Sequence, residues 1–188
     1  MSPQRVLLIG SLVLAVGCGP SGVERREARD FAKLLRQISP EAHDLLTRET
    51  AAANELKIIL EESGTLDFDG FRAKFEKSIS ELNLVRDRRR ELLAKVSQGQ
   101  WETPLVSGVQ RVAIVTFQDG LVRIEGWIQM ARNIRVRAEL GREKEFPEVK
   151  LLLNQLATFV GEPQETPLSV QIQTLRSEYR FTESEITQ

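Results

Sequence analysis

Between Phe68 and Val96 the apolar residues recur at steps of three and four: Phe68, Phe71, Phe75, Ile79, Leu82, Val85, Leu92 and Val96. This spacing returns to one side of an α-helix once per turn, in the manner of helices that meet along their length. A strand, with its period of two, would scatter the same residues over both faces. Arg89 interrupts the stripe. At about 1.5 Å per residue the helix is near 45 Å long. A rod of that length needs neighbours of similar length to cover its stripe, and the rest of the chain must supply them.

It does so by the same periodicity. Val23 to Ile38 read as a helix, with Ala28, Phe31, Leu34, Leu35 and Ile38 on one face. Ser39-Pro40-Glu41 then restarts the helix, because serine caps, proline suits the first helical position and an acid favours the positive end. No residues remain for a reversal, so a kink is expected, followed by a second helix from Pro40 to Glu62. That helix buries Leu45, Leu46, Ala52, Ala53, Leu56, Ile59 and Leu60. Asp67 or Asp69 can cap the third helix, which runs to about Ser97. Residues 105–140 carry two patterns. Asp119-Gly120 between two β-branched runs would suit a hairpin. Val109, Val112, Ala113, Phe117, Leu121, Ile124, Trp127, Ile128, Ala131, Ile134 and Ala138 instead share one helical face, and a long helix ending at Gly141 is the expectation. Gly108, Gly120 and Gly126 each cost it about 1 kcal/mol relative to alanine, and close approach of a neighbouring helix is the expected compensation.

A shorter helix is expected from Phe146 to Val160, with Val149, Leu152, Leu153, Leu156 and Phe159 inward. Thr166-Pro167 opens a last one with Val170, Ile172, Leu175, Tyr179 and Phe181. From Thr182 the chain is polar and reads as a frayed tail. The fold class is therefore all-α: an elongated antiparallel helical bundle with coiled-coil character and a shorter C-terminal helical pair. Its bounds are one domain over 23–181 and a disordered tail over 182–188.

Ahead of these helices stands a different kind of segment. Arg5 and the amino terminus are positive, and Val6 to Val16 form an apolar run broken only by Gly10 and Ser11. That run is shorter than the roughly 20 residues of a spanning helix and fits the apolar region of a signal peptide. Small residues follow, then Cys18, the chain's one cysteine. Leu14-Ala15-Val16-Gly17-Cys18 resembles the lipobox of bacterial lipoproteins, with Ala15 where that family more often has leucine. The resemblance is confined to this segment. It implies removal of residues 1–17, a diacylglyceryl group on the Cys18 thiol and often an acylated new amino terminus. Residues 18–22 would then be the lipidated cysteine and a short linker. It implies a periplasm-facing protein held on a bacterial membrane. In enteric bacteria aspartate after the cysteine retains a lipoprotein at the inner membrane, so Gly19 favours the outer one.

Removing Arg5 with the signal segment takes the net charge from −1 to −2. A near-neutral chain gives no case for nucleic acid, whose partners show basic patches. Lipidation of Cys18 leaves no thiol for a disulfide. The one histidine, His43, reads as an exposed helical residue. Zinc sites need clusters of Cys and His, and a His43–Met130 pair is thin support for a haem. No phosphate-binding glycine loop or dinucleotide fingerprint is present, and no cofactor is expected. Trp127 lies on the apolar stripe and reads as core.

One charge run stands out. Arg86, Arg88, Arg89 and Arg90, with Lys95 close by, are either a solvated face paired with Asp87 and Glu91 or a contact surface. If the first helix rises from the lipid, the third descends and the fourth rises again, the turn carrying Trp101 lies near the membrane, with Arg111 beside it. Tryptophan favours bilayer interfaces, and each basic side chain near an anionic surface is worth about 1 kcal/mol. Arg86, Arg88, Arg89, Arg90, Lys95, Trp101 and Arg111 are thus candidate membrane or partner contacts. Two functions follow: a lipid-anchored helical partner of an envelope protein or of its own copies, or an envelope carboxylate hydrolase or small-ligand carrier with a pocket between helices.

Overall fold

The computed structural model describes residues 20–61, 68–141 and 167–187. Their order is α1 (Gly22–Glu61), α2 (Phe68–Ser97), α3 (Pro104–Gly141), α4 (Leu168–Tyr179) and α5 (Glu183–Thr187). Every element among them is helical, as the periodicity requires. The signal segment with Cys18, the expected helix over 146–160 and the cap at Asp67 lie outside the described residues, as do the side chains of Asp69, Phe68, Phe71, Leu60, Ile134 and Ala138.

Helix α1 is the common partner of the other four. It opens on a reciprocal cap: the Ser21 N–H donates to the Glu24 carboxylate at 2.6 Å, and the Glu24 N–H donates to Ser21 Oγ at 3.2 Å. This satisfies two of the orphan donors of a helix start. The two helices expected on either side of Ser39-Pro40 are one element of 40 residues with Pro40 inside it. Proline in a helix interior forfeits a hydrogen bond and costs about 3 kcal/mol. The seam explains why the helix continues. Ala28, Phe31, Leu35, Ile38, Ala42, Leu45, Glu49, Ala52, Leu56 and Ile59 alternate steps of three and four without a break, and all are buried except the partly buried Ala42. A reversal at Pro40 would forfeit packing on both sides of it.

Helix α2 keeps the same alternation through Phe75, Ser78, Leu82, Val85, Arg89, Leu92 and Val96, all buried. It runs antiparallel to α1, since Arg88 reaches Glu41 while Glu81 reaches Arg48. Gly99 ends it at φ +106°, where side chains are disfavoured. The Gln110 amide donates to the carbonyls of Val96 and Gly99 at 2.9 and 3.3 Å, which answers acceptors left over at the helix end.

The stretch with two patterns is helical throughout: α3 spans 38 residues, about 57 Å, with Asp119-Gly120 inside it. Ala113, Phe117, Leu121, Ile124, Trp127, Ile128 and Ala131 are buried on one face. A hairpin would divide them between two. Two expectations fail here. Val112 is 50 % exposed: its position lies about 120° round the helix from the buried line through Ile124. Gly108 approaches nothing, because a Cβ built there has no atom within 4 Å.

The C-terminal pair packs on the N-terminal half of α1, where Arg25 pairs with Glu185 and Arg36 with Glu183. In α4, Leu168, Gln171, Leu175 and Tyr179 are buried, while Val170, expected inside, is 51 % exposed. The expected frayed tail from Thr182 is instead α5. The Thr182 N–H and hydroxyl donate to the Glu185 carboxylate at 2.8 and 2.9 Å, and Ile186 is 3 % exposed. The Glu185 carboxylate reaching back to Thr182, the ion pairs of Glu183 and Glu185 and one buried isoleucine order this short element against α1.

Candidate functional site

The arginine run of α2 is where charge, burial and three helices meet. Successive residues of a helix step round it by 100°, so neighbouring arginines must point to different neighbours. Arg88 turns to α1 and pairs with Glu41, and also with Glu91 on its own helix. The bond to Glu41 raises the Arg88 pKa above its usual value. Arg90 turns to α3 and pairs with Glu125 at 2.6 Å. Arg86 pairs with Asp87 at 2.8 Å. Arg89 turns inward: it is 1 % exposed and donates to Glu49 at 3.0 Å.

Glu49 is itself 2 % exposed and receives a second guanidinium, that of Arg123 on α3, at 2.5 and 3.0 Å. One buried carboxylate thus joins α1, α2 and α3. Arg89 is therefore no membrane or partner contact, contrary to expectation. It fills a seam position of α2, and Glu49 fills the matching seam position of α1. Removing one partner of such a group typically costs about 3–5 kcal/mol, because the other charge stays buried. Glu49 and Arg123 were not singled out from the sequence. The sequence signal for Glu49 is the seven-residue phase of Ala28, Leu35 and Ala42, which carries through Pro40 and lands on that position. Arg123 carries no such signal, since it lies beside the buried face of α3 rather than on it.

The turn between α2 and α3 lies at the Gly22 end of the bundle. The Trp101 ring packs on Phe31 with centroids 5.3 Å apart and planes at 55°. The Glu27 carboxylate accepts the Thr103 N–H at 2.9 Å, its hydroxyl at 2.6 Å and the Glu102 N–H at 3.4 Å. These bonds, the Thr103 hydroxyl first, hold the Glu27 carboxyl below its usual pKa. Trp101 is half-buried, and its indole N–H is buried without a partner. Lys95 and Arg111 are exposed near the same turn. The ion pair to Glu41 places Arg88 nearly 20 residues along α1 from Gly22, about 29 Å, and so in the middle of the bundle. The seven candidates therefore separate: Trp101 belongs to the Gly22 end, Lys95 and Arg111 lie about 20 Å along from it, Arg86, Arg88 and Arg90 form a mid-bundle clasp, and Arg89 belongs to the core.

The remaining candidates do not assemble. His43 is exposed. The parallel pair Glu49–Arg123 sets Met130 level with the last turns of α1, about 20 Å along from His43. Among the described residues no group of three Cys, His, Asp or Glu is placed to hold a metal. Trp127 is core, at 6 % exposure. A shallow depression of about 430 Å³ on α1 is lined by Leu46, Thr47, Thr50, Ala51 and Asn54. None of these side chains is ionisable. No described helix is long and apolar enough to cross a membrane. Comparison with protein-family models, curated proteins and solved structures finds no match to this chain.

Proposed function

We propose that the chain is a lipid-anchored protein on the periplasmic side of a bacterial membrane, with the outer membrane favoured, where it acts as a helical structural or interaction partner in the envelope. The observation that carries this reading is the lipobox-like Leu14 to Cys18 placed directly ahead of the capped start of α1. Only Gly19, Pro20 and Ser21 separate the cysteine from Gly22, and four residues reach roughly 14 Å when extended. An acyl group on Cys18 would hold the Gly22 end of the bundle against the lipid. Arg26 near that end, and Lys95 and Arg111 further along the bundle, are exposed cations with no ion pair among the described residues, available to an anionic surface or an acidic partner. The arginines of the clasp are engaged with Glu41, Glu125 and Asp87. Trp101 supports the reading less, since much of its ring is spent on Phe31.

Fractionation of cells expressing the chain tests the anchor. The wild-type chain is expected in the membrane pellet, and Cys18→Ala in the soluble fraction at equal expression. A wild-type chain that is soluble from the outset would overturn the reading.

A further inference from the structure

Helix α3 carries a second seven-residue pattern, on the face turned away from the core. Gly108, Val115, Val122 and Gln129 recur every seven residues, and Val112, Asp119, Gly126 and Asn133 follow each by four. Val112, Val115 and Val122 are 50, 48 and 70 % exposed. The open space over Gly108 lets a neighbouring backbone come close. A heptad seam is how one helix meets another along its length, and the inner face of α3 is already occupied by α1 and α2.

The glycines and the outer valines of the seam fall symmetrically about the level of Phe117. Turned end for end, a second α3 sets Gly108 opposite Gly126, Val112 opposite Val122 and Val115 opposite Asp119. Glycine meets glycine and valine meets valine in two of these matches, the central one sets valine against the exposed Asp119, and by symmetry each occurs twice. The flanks agree in charge. In the same register Arg111 faces Glu125 of the other copy. Arg111 is exposed and makes no ion pair among the described residues, and Glu125 is about half exposed beside Arg90. A parallel pairing would set Asp119 against Asp119 in one layer, where juxtaposed like charges oppose association, whereas the antiparallel one offsets the two carboxylates by four residues, about 6 Å along the helices.

We propose that a second copy of this chain docks antiparallel on the outer face of α3, about a two-fold axis at Phe117. The proposal uses the fold alone and stands apart from the lipid anchor. The seam from Gly108 to Gly126 is about 27 Å long on a helix roughly 10 Å wide. That footprint is below the roughly 800 Å² per partner of a stable complex, so the pair is weak in dilute solution and forms where copies are concentrated. The two Gly22 ends point in opposite directions.

Sedimentation of the purified full chain in mild detergent, up to roughly 0.5 mM, tests the pairing. Dimer is expected to appear within that range. Val122→Asp, at an exposed position, is expected to raise the dissociation constant at least about tenfold, a change of roughly 1.4 kcal/mol. Arg111→Glu weakens it severalfold, and Lys57→Glu on α1 leaves it unchanged. Orientation is read from single cysteines with a short thiol crosslinker, the linked peptides being identified by mass. Antiparallel pairing sets position 118 opposite itself, so Gln118→Cys links two copies efficiently, while Val122→Cys links to itself poorly. A chain that stays monomeric throughout overturns the proposal. So does a dimer indifferent to Val122→Asp, or preferential self-linking at position 122. None of these outcomes bears on the membrane fractionation of Cys18→Ala.

Discussion

Replacing Glu49 by alanine removes the acceptor shared by Arg89 and Arg123. Arg89 is 1 % exposed and cannot swing to solvent without opening the seam between α1 and α2. The loss expected from breaking a buried ion pair on one side is about 3–5 kcal/mol, against a total stability of about 5–15 kcal/mol for a typical domain. With a urea dependence near 2 kcal/mol per molar, the unfolding midpoint falls by about 2 M. Circular dichroism through a urea titration reads this directly. The triple variant Glu49→Leu, Arg89→Met and Arg123→Met removes all three charges of the cluster and keeps the volume, and it is expected to recover most of the loss. A Glu49→Ala midpoint within about 0.5 M of wild type, under 1 kcal/mol by the same dependence, would refute the buried cluster as the junction of the three long helices.

Acid should loosen the molecule at defined points. Thr103 hydrogen bonds lower the Glu27 pKa, Arg36 lowers that of Glu183, and Thr182 lowers that of Glu185. A carboxyl lowered on folding binds fewer protons than in the unfolded chain, so its contribution is complete above the ordinary value of 4.5 and disappears as pH falls through the lowered one. Thermal melts are expected to drop below that pH, with a shallower drop in Glu27→Gln; an identical acid limb in the variant counts against the Glu27–Thr103 tie. Gly108→Ala is expected to stabilise the dilute chain by about 0.8–1 kcal/mol, since the added methyl enters open space within a helix. A loss of stability would mean that residues close over that position. Gln171 is 4 % exposed with neither amide atom hydrogen-bonded, so Gln171→Met is expected to raise the melting temperature by relieving an unmet polar burial of about 1–3 kcal/mol. A lowered melting temperature would show that the amide has a partner in solution.

Most of the architecture was legible because its signal is periodic. The stripe of α2, the helical reading of 105–140 against a hairpin, and the end of α2 at Ser97 all agree with the sequence pattern. Apolar type alone misleads where a helix has two neighbours rather than a full shell. Val112 and Val170 are β-branched and near the stripe, yet their angular positions fall outside it. Pro40 was read as a boundary from its local chemistry, whereas the unbroken seam on either side of it decides the outcome. The tail was judged by its polarity, although Thr182 and Glu185 spell a capping box and Ile186 supplies an anchor.

The charged residues were harder to place, for a physical reason. Four adjacent arginines look like one patch in sequence, but the 100° step of a helix distributes them to α1, the core and α3. Their partners lie tens of residues away, at Glu41, Glu49 and Glu125. Only Glu49 could be found in advance, by following the heptad phase rather than the residue type. Burial of Arg89 and engagement of its neighbours leave Lys95 and Arg111 as the exposed, unengaged part of that patch, on the Gly22 side of the clasp.

Mass spectrometry of the amino-terminal peptide, recovered from the membrane fraction, addresses the proposed anchor most directly. A chain beginning at Cys18 and carrying a thioether-linked diacylglyceryl group is the expected species. A free Cys18 thiol still joined to residues 1–17, or a terminus downstream of Cys18 without lipid, would contradict it.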